Sequence, residues 1–172
     1  MADHSASPIA KRDSWNTLAP GLMTPFPYQA TFSHEEYATI ARGLIPVEME
    51  DKWFVFWEAD SLFLHRSWTG FCVYRVEFQR SGDRFDIAQA TVAANSEQYR
   101  RGSDRHEAAV LDFLIRGLLL HQPVEFPMPS DVPASAQPGL YQHHIAGTGF
   151  PERTLNGNQT TVLARLKRLL RL

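Results

Sequence analysis

Residues 52–94 contain four short segments that are rich in aromatic and β-branched residues, a composition typical of β-strands. The segments are KWFVFWE, LFLHRS, FCVYRVEFQR and RFDIAQATVAA, and only the short sequences AD, WTG and SGD separate them. Connections of two or three residues fit tight hairpins. The pattern therefore predicts a four-stranded antiparallel β-meander.

Two segments have helical periodicity instead. FSHEEYATIARG places Ser33 and Glu36 at capping-box spacing, with Gly43 where a helix can end. SDRHEAAVLDFLIRGLLLHQP repeats that spacing with Asp104 and Glu107. Its apolar stripe consists of Val110, Leu111, Leu114, Ile115, Leu118 and Leu119. Because an apolar sheet needs a second layer, we expect this longer helix to cover one face of the sheet.

The rest of the chain defines the domain organisation. Residues 1–30, polar and then rich in proline, indicate an irregular N-terminal arm; residues 31–123 form the core, and residues 124–157 a proline-rich loop. Residues 158–172 include QTTVLARLKRLLRL, which predicts an amphipathic C-terminal helix with four basic residues and no acidic one. The predicted fold is α+β: a four-stranded antiparallel meander, one long helix packed on a face, a short N-terminal helix and the amphipathic C-terminal helix.

The hairpin register assigns each strand residue to a face of the sheet. We assume a two-residue loop at 59–60 and a three-residue loop at 68–70 with Gly70 left-handed, so that Arg66 faces both Trp53 and Cys72. The helix-covered face then holds Trp53, Val55, Trp57, Leu62, Leu64, Cys72, Tyr74, Val76 and Phe78, with Arg66 as its polar exception. The opposite face holds Phe54, Phe56, Phe63, His65, Ser67, Phe71, Val73, Arg75 and Glu77.

That opposite face is too apolar to meet water. The N-terminal arm, the proline-rich loop, the C-terminal helix or a second subunit must cover it.

Composition narrows the class of protein. The chain has 172 residues, of which 44% are hydrophobic and 21% charged, as in a soluble single-domain protein. A net charge of -2 predicts no general attraction to nucleic acid or anionic lipid. The single cysteine cannot form an internal disulfide, and neither a signal segment nor an apolar run of membrane-spanning length is evident. We therefore expect a cytoplasmic protein with no membrane span.

Arg66 is the main reason to expect a site at the hairpin. A guanidinium fork, a tryptophan ring and the free N–H groups of a turn could together hold an anion or a nucleotide. In the alternative, Arg66 pairs with a carboxylate and Trp68 caps the edge of the core. Both interpretations fit the sequence.

The sequence gives weaker support for functional sites at the other reactive side chains. His65 and His106 could act as acid and base, but no nucleophile lies at a diagnostic spacing, which favours structural roles. Burial favours an inert Cys72 over a nucleophile. A phosphate site near Arg100, Arg101 and Arg105 competes with a solvated helix cap. We assign no catalytic residue, no metal site (the pair at 143–144 included) and no cofactor.

Residues 49–78, MEDKWFVFWEADSLFLHRSWTGFCVYRVEF, resemble a segment of short bacterial and phage proteins of uncharacterised function. Those proteins share a Glu-Asp-Lys-Trp opening, an aromatic strand and an Arg-Ser-Trp-Thr-Gly turn. The resemblance suggests NAD or ADP-ribose as a ligand. The residues it implicates are Lys52, Trp53, His65, Arg66, Ser67, Trp68 and Thr69.

Two functions follow from these observations. The first is a small cytoplasmic, non-enzymatic binding or accessory protein that acts through protein–protein contact or self-association, as a homo-oligomer. The second is an enzyme or sensor for an anionic, nucleotide-like ligand held near the RSWTG hairpin. The uncovered apolar face, the proline-rich loop and the lack of a catalytic constellation favour the first.

Overall fold

The computed structural model of the chain describes residues 8–48 and 50–127. It has an α+β architecture, with an antiparallel sheet and two helices. The strands are β1 (Met23–Phe26), β2 (Thr31–Ser33), β3 (Trp53–Glu58), β4 (Ser61–Arg66), β5 (Cys72–Ser81) and β6 (Arg84–Ala93). The helices are α1 (His34–Ala41) and α2 (Asp104–Asp112); α2 continues as a π-helical segment (Phe113–Leu119), and a 3-10 turn spans Arg12–Ser14.

Within the described residues the sheet has six strands, not the predicted four. The predicted meander is confirmed as β3 to β6, within the strand order β1-β6-β5-β4-β3. The two further strands both pair with β6: β1 along its end and β2 along its beginning. They are only four and three residues long, and β1 contains Pro25, so neither has a recognisable strand pattern. Proline is accommodated there because β1 lies at an edge of the sheet.

Helix α1 begins and ends as predicted. Ser33 Oγ accepts a hydrogen bond from the Glu36 backbone N–H at 3.2 Å, and Glu36 Oε2 accepts one from the Ser33 N–H at 2.8 Å. Gly43 follows the helix with φ +68°, and a Cβ on it would overlap the Val55 carbonyl oxygen. Glycine is needed because the chain turns here and then pairs Leu44 with Val55 on the edge strand β3.

Helix α2 begins differently from the prediction. Its N-cap is Ser103, whose Oγ accepts from the His106 N–H at 3.3 Å, so Asp104 is the first helical residue. The predicted packing of the helix on the sheet is confirmed. The stripe is buried throughout: Val110, Leu111, Leu114, Ile115, Leu118 and Leu119.

The β3–β4 hairpin has the predicted register. Trp53 pairs with Arg66, and the two-residue turn consists of Ala59 and Asp60, both with positive φ. That conformation matches the twist of the flanking strands.

A β-bulge changes the β4–β5 hairpin. Leu64 pairs with Tyr74 as predicted, but the register then shifts and His65 pairs with Cys72. Cys72 was predicted to face Arg66 on the helix-covered face; it lies instead in the second apolar cluster, and Val73 lies in the main core. The single extra residue on β5 exchanges the faces of these two side chains.

The loop of this hairpin is one residue longer than predicted. The Arg66 N–H donates to the Phe71 carbonyl at 2.9 Å, so the loop comprises residues 67–70. Gly70 has φ +74°, the predicted left-handed conformation.

The N-terminal arm, residues 8–22 in the described part, covers the second face of the sheet. Ala10 is buried against a cluster of Phe54, Phe56, Phe63 and Cys72. The Ala10 N–H donates to the Arg42 carbonyl at 2.8 Å, and Arg12 pairs with Glu58 while its Cζ lies 5.3 Å from the Phe56 ring centre. Among the predicted covers, the arm is the one that the described residues show.

Two predicted segments lie largely outside the described residues. Residues 124–127 of the proline-rich loop form neither helix nor strand, and Phe126 packs edge-on against Phe113 at 5.0 Å. The rest of that loop and the predicted C-terminal helix at 158–172 are not described. Across residues 8–48 and 50–127, no helix combines the length and apolarity needed to cross a membrane.

Candidate functional site

The predicted site residues lie at one end of the sheet, which we call the hairpin end. Strand β3 begins there, loop 67–70 joins β4 to β5, and β6 ends there. The residues are brought to this end but to different sides of the sheet: Lys52, Trp53, His65, Arg66, Ser67, Trp68 and Thr69.

Arg66 stacks on Trp53, as the register predicted. Its Cζ lies 4.4 Å from the centre of the Trp53 ring, which itself stacks on Tyr74 with ring centres 6.1 Å apart. Burial lowers the pKa of Arg66, and the hydroxyls of Tyr99 and Tyr74 oppose that effect. The guanidinium stays charged, and a stacked pair of this kind stabilises the fold by about 0.5–2 kcal/mol.

A buried carboxylate lies behind this stack. Glu107 is fully buried; its Oε2 accepts hydrogen bonds from the Tyr74 hydroxyl at 2.5 Å and the Tyr99 hydroxyl at 3.0 Å. Its Oε1 accepts from the Gly102 backbone N–H at 2.5 Å. Burial raises the pKa of both tyrosines, and the Glu107 carboxylate raises it further. The hydroxyls therefore keep their protons at neutral pH, and the network ties α2 to the sheet.

The sequence interpretation of Glu107 as part of a cap missed this role. The signal was present: Glu107 precedes Val110, Leu111 and Leu114 by three, four and seven residues, which places it on the buried stripe. A carboxylate in that position needs hydrogen-bond donors from the facing sheet. Tyr74 and Tyr99 supply them.

His65 lies on the other face of the sheet, under the arm. It is fully buried, its ring stacks on Phe56 with centres 5.4 Å apart, and its Nδ1 lies 2.8 Å from the Gly70 carbonyl oxygen. Because a carbonyl can only accept, Nδ1 carries the proton and donates. The Nε2 atom is left as an acceptor with no hydrogen-bond partner among the described residues.

The surroundings keep His65 neutral. Burial lowers its pKa, the hydrogen bond to Gly70 opposes that effect, and the positive charge of Arg12 lowers the pKa further. An imidazolium stacked on Phe56 would gain about 0.5–2 kcal/mol. Removing an ion from water costs several kcal/mol, so desolvation dominates.

Cys72 pairs with His65 across the two strands but is not an activated nucleophile. Burial raises the pKa of the Cys72 thiol to about 12, and the nearby Arg75 and Arg12 only partly offset this. Its Sγ lies 3.5 Å from the Tyr74 carbonyl oxygen. The thiol is therefore protonated at neutral pH, as expected of an inert core cysteine.

Loop 67–70 is held from two directions. Ser67 Oγ donates to the Asp51 carbonyl at 2.5 Å, and the Ser67 N–H donates to the Lys52 carbonyl at 3.0 Å. From the arm, Trp15 Nε1 donates to the Ser67 carbonyl at 2.8 Å. Trp68, by contrast, projects from the loop and is largely exposed, with Lys52 Nζ 5.0 Å from its ring centre. This exposure does not fit the alternative in which Trp68 caps the edge of the core.

Large apolar side chains are exposed at the hairpin end of the sheet. The Leu18 N–H donates to the Gly70 carbonyl, and the Leu22 carbonyl accepts from the Ala94 N–H at the end of β6. The Val47 N–H donates to the Asp51 carboxylate just before β3. With the two tryptophans they form a set that we call the apolar rim, with these exposed fractions: Trp15 39%, Leu18 46%, Leu22 79%, Val47 90% and Trp68 64%.

A small cavity lies beside Lys52. It has a volume of about 110 Å³ and is lined by Leu44, Ile45, Val47, Asp51, Lys52, Leu118 and His121. Pockets for drug-sized ligands and cofactors are typically about 300–1,000 Å³. Among the described residues, no group of three or more potential metal ligands is found.

Comparisons with protein-family models, with curated proteins and with solved structures found no match to this chain. The resemblance of residues 49–78 to bacterial and phage proteins therefore stays a prediction.

Proposed function

We propose that this protein is a small non-enzymatic binding protein that contacts a partner protein, or a second copy of itself, through the hairpin end of the sheet. The apolar rim is the observation that carries the proposal. Five large apolar side chains are exposed at one end of the sheet, whereas the apolar face that seemed to need a partner is covered by the arm. Such concentrations of exposed apolar surface are typical of interaction sites.

The rim is also preorganised. Loop 67–70 is fixed by hydrogen bonds from Trp15, from Leu18 and to Asp51, so that Trp68 projects from an ordered support. Binding then costs little loop ordering, which favours affinity. Tryptophan is enriched among the residues that dominate binding energy at interfaces.

A non-enzymatic role is supported by the state of the reactive groups in the described chain. Cys72 and His65 are buried under the arm, and Glu107 is closed off by two tyrosine hydroxyls and a backbone N–H. None of these three groups faces an open cleft. General acid–base or nucleophilic catalysis requires a group within reach of substrate.

Site-specific photocrosslinking tests the proposal in the cell that expresses the protein. A photoreactive amino acid replaces Trp68 in one variant and Gln79, exposed near the opposite end of the sheet, in the matched control. The expected result is a discrete crosslinked protein from position 68 and none from position 79. Equal crosslinking at both positions, or none at position 68, contradicts the proposal.

Native mass spectrometry separates self-association from a different partner. A stable multiple of 19.5 kDa that Trp68→Ser converts to the monomer identifies a second copy as the occupant. A wild-type monomer that still gives the crosslink at position 68 identifies another protein.

A second candidate function is the binding of an anionic, nucleotide-like ligand such as NAD or ADP-ribose at Arg66. The stacked and only partly buried guanidinium favours it. The small cavity at Lys52, and the location of His65 on the other face, give it less support. Calorimetric titration with ADP-ribose and NAD tests it: binding that Arg66→Ala abolishes and Arg80→Ala preserves supports this function, and no heat of binding to the wild type rejects it.

A further inference from the structure

The Gly70 carbonyl oxygen accepts two hydrogen bonds, one from His65 Nδ1 at 2.8 Å and one from the Leu18 backbone N–H at 2.9 Å. The first bond holds a buried imidazole, and the second holds the arm on the hairpin loop. We propose that protonation of His65 releases the arm from the sheet, so that the protein loses the cover of its second apolar face at acidic pH.

The neutral ring fits its site because only one nitrogen needs a partner. Nδ1 donates to Gly70, and Nε2 is a bare acceptor packed among aromatic rings. Protonation adds an N–H at Nε2, and no acceptor lies within hydrogen-bond distance of that atom in the described chain. A buried donor left without a partner, on a ring that also gains a charge, destabilises the closed arrangement.

The charged and titratable groups on this face do not compensate. They come from the arm, from β3 and from β5, and they are Arg12, Glu58, Cys72, Arg75 and Glu77. The two carboxylates are each paired with an arginine, Arg12 with Glu58 and Arg75 with Glu77. Burial keeps the thiol protonated. A charge on His65 therefore meets the cation of Arg12, which adds repulsion to the desolvation of the ring.

The arm is the element of this site that can detach from the sheet. Strand β4, which carries His65, is paired with a strand on each side. The arm is held by single hydrogen bonds from Ala10, Trp15 and Leu18, by one from the Ala94 N–H to the Leu22 carbonyl, by the buried Ala10 side chain and by one exposed ion pair, Arg12 with Glu58. Segments with few bonds open at lower free energy than the paired strands they cover. Water reaches Nε2 once the arm leaves.

Opening would also disassemble the apolar rim, because Trp15 and Leu18 belong to the arm. This consequence for partner binding rests on the proposed function. The opening itself does not, and it can be measured on the isolated protein.

The single cysteine provides the readout, since Cys72 lies in the cluster that the arm covers. The rate at which Cys72 reacts with a dithiodipyridine reagent is measured at several values from about pH 7.5 to about pH 5 and divided by the rate of the urea-unfolded chain at the same pH. The quotient removes the intrinsic pH dependence of the reagent and the thiol.

The expected result is a relative reactivity that rises at least about tenfold on acidification in the wild type. The variant His65→Phe, which keeps an aromatic ring but has no titrating nitrogen, should show no such rise. The matched control is His34→Phe: His34 packs on Phe85, away from the arm, so this variant should behave as the wild type. A flat wild-type profile, or a rise that persists in His65→Phe, overturns the proposal.

A second measurement covers the case in which His65→Phe does not fold. In the wild type, the NMR chemical shifts of the ring nitrogens give the titration of His65. Hydrogen exchange gives the protection of the Leu18 N–H, which donates to the Gly70 carbonyl. Loss of Leu18 protection at the same midpoint, with amides of β4 and β5 still protected, supports release of the arm. A Leu18 amide that stays protected through the titration, or that loses protection together with the whole sheet, refutes it.

Discussion

Arg66 and Trp53 form a cross-strand stack, with the guanidinium carbon 4.4 Å from the ring centre. The two residues are direct partners in the β3–β4 register, so the stack follows from the two-residue turn at Ala59 and Asp60. It allows a charged side chain to lie on a face that is otherwise apolar, because the guanidinium surface is weakly hydrated and matches an indole ring.

Replacing Arg66 should lower stability in a graded way. We expect Arg66→Ala to reduce the free energy of unfolding by about 1–2 kcal/mol, through loss of the stack and of the packed aliphatic stem. Arg66→Lys should lose less than this, because an ammonium retains part of the attraction. Urea unfolding measures both, with Arg80→Ala, at an exposed position, as the control. Equal stabilities of Arg66→Ala and Arg80→Ala would show that the stack contributes nothing.

Replacing the buried Glu107 should lower the free energy of unfolding more than replacing Arg66 does. In Glu107→Leu, the Gly102 N–H loses its acceptor, and the Tyr74 and Tyr99 hydroxyls, which lie 3.0 Å apart, keep only each other as partners. Each buried group left unpaired costs about 1–3 kcal/mol. We expect Glu107→Gln to be milder, since the amide oxygen can still accept one of these bonds. Thermal unfolding monitored by circular dichroism measures the change, with Glu35→Gln on the exposed side of α1 as the control. A Glu107→Leu protein as stable as the control contradicts the role of this network.

The same network predicts loss of stability at alkaline pH. The folded-state pKa values of Tyr74 and Tyr99 are raised above the ordinary value of 10.0, because burial and the Glu107 carboxylate disfavour the phenolate. The unfolded chain therefore loses protons at a lower pH than the folded chain does. The stabilisation is complete below about pH 10 and is lost as the pH rises above that value.

Absorbance of tyrosinate measures this effect. We expect ionisation of Tyr74 and Tyr99 to coincide with unfolding, so that the Tyr99→Phe variant shows a smaller absorbance step at the unfolding transition. If both residues ionise near pH 10 with the far-ultraviolet circular dichroism unchanged, their hydroxyls are not buried donors.

Gly43 and Gly82 allow the cost of backbone conformation to be separated from the cost of steric overlap. Both have positive φ, but a Cβ on Gly43 would overlap the Val55 carbonyl, whereas a Cβ on Gly82 meets nothing within 4 Å. We expect Gly82→Ala to cost about 1 kcal/mol, from conformation alone. Gly43→Ala should cost about 1–3 kcal/mol more, because the Leu44 bridge to β3 must shift. Denaturant unfolding of the two variants compares them directly; equal losses would mean that the overlap is relieved without cost.

The sequence predicted the parts of the fold that depend on local periodicity. The alternation of residues in β3 to β6, the cap at Ser33 and the apolar stripe of α2 are each encoded within a few neighbouring positions. The Trp53–Arg66 stack was predictable for the same reason, since one short turn sets its register. Features that depend on distant contacts were not predictable in this way.

The bulge at Val73 shows why. Nothing in the local pattern distinguishes Cys72 from Val73, both of which suit either face. The choice depends on packing against the arm, which no periodicity locates. Strands β1 and β2 form only because β6 offers them a partner, and the acceptor role of Glu107 requires Tyr74 from another element. The site was therefore found as a place in the chain, and the register already separated Arg66 and Trp53 from His65. The face of Cys72 and the hydrogen bonds to Glu107 were not found.

The edges of the sheet have a consequence for the behaviour of the protein at high concentration. Pro25 has no backbone N–H and so removes one donor from β1, and β2 is only three residues long. In the middle of β3, both the N–H and the carbonyl of Val55 are hydrogen-bonded to Leu44. Unprotected strand edges act as templates on which further chains deposit into fibrils. In the described part of this chain, the apolar rim therefore has no unprotected strand edge beside it. We therefore expect the described part of the chain to resist the open-ended aggregation that exposed apolar side chains usually bring.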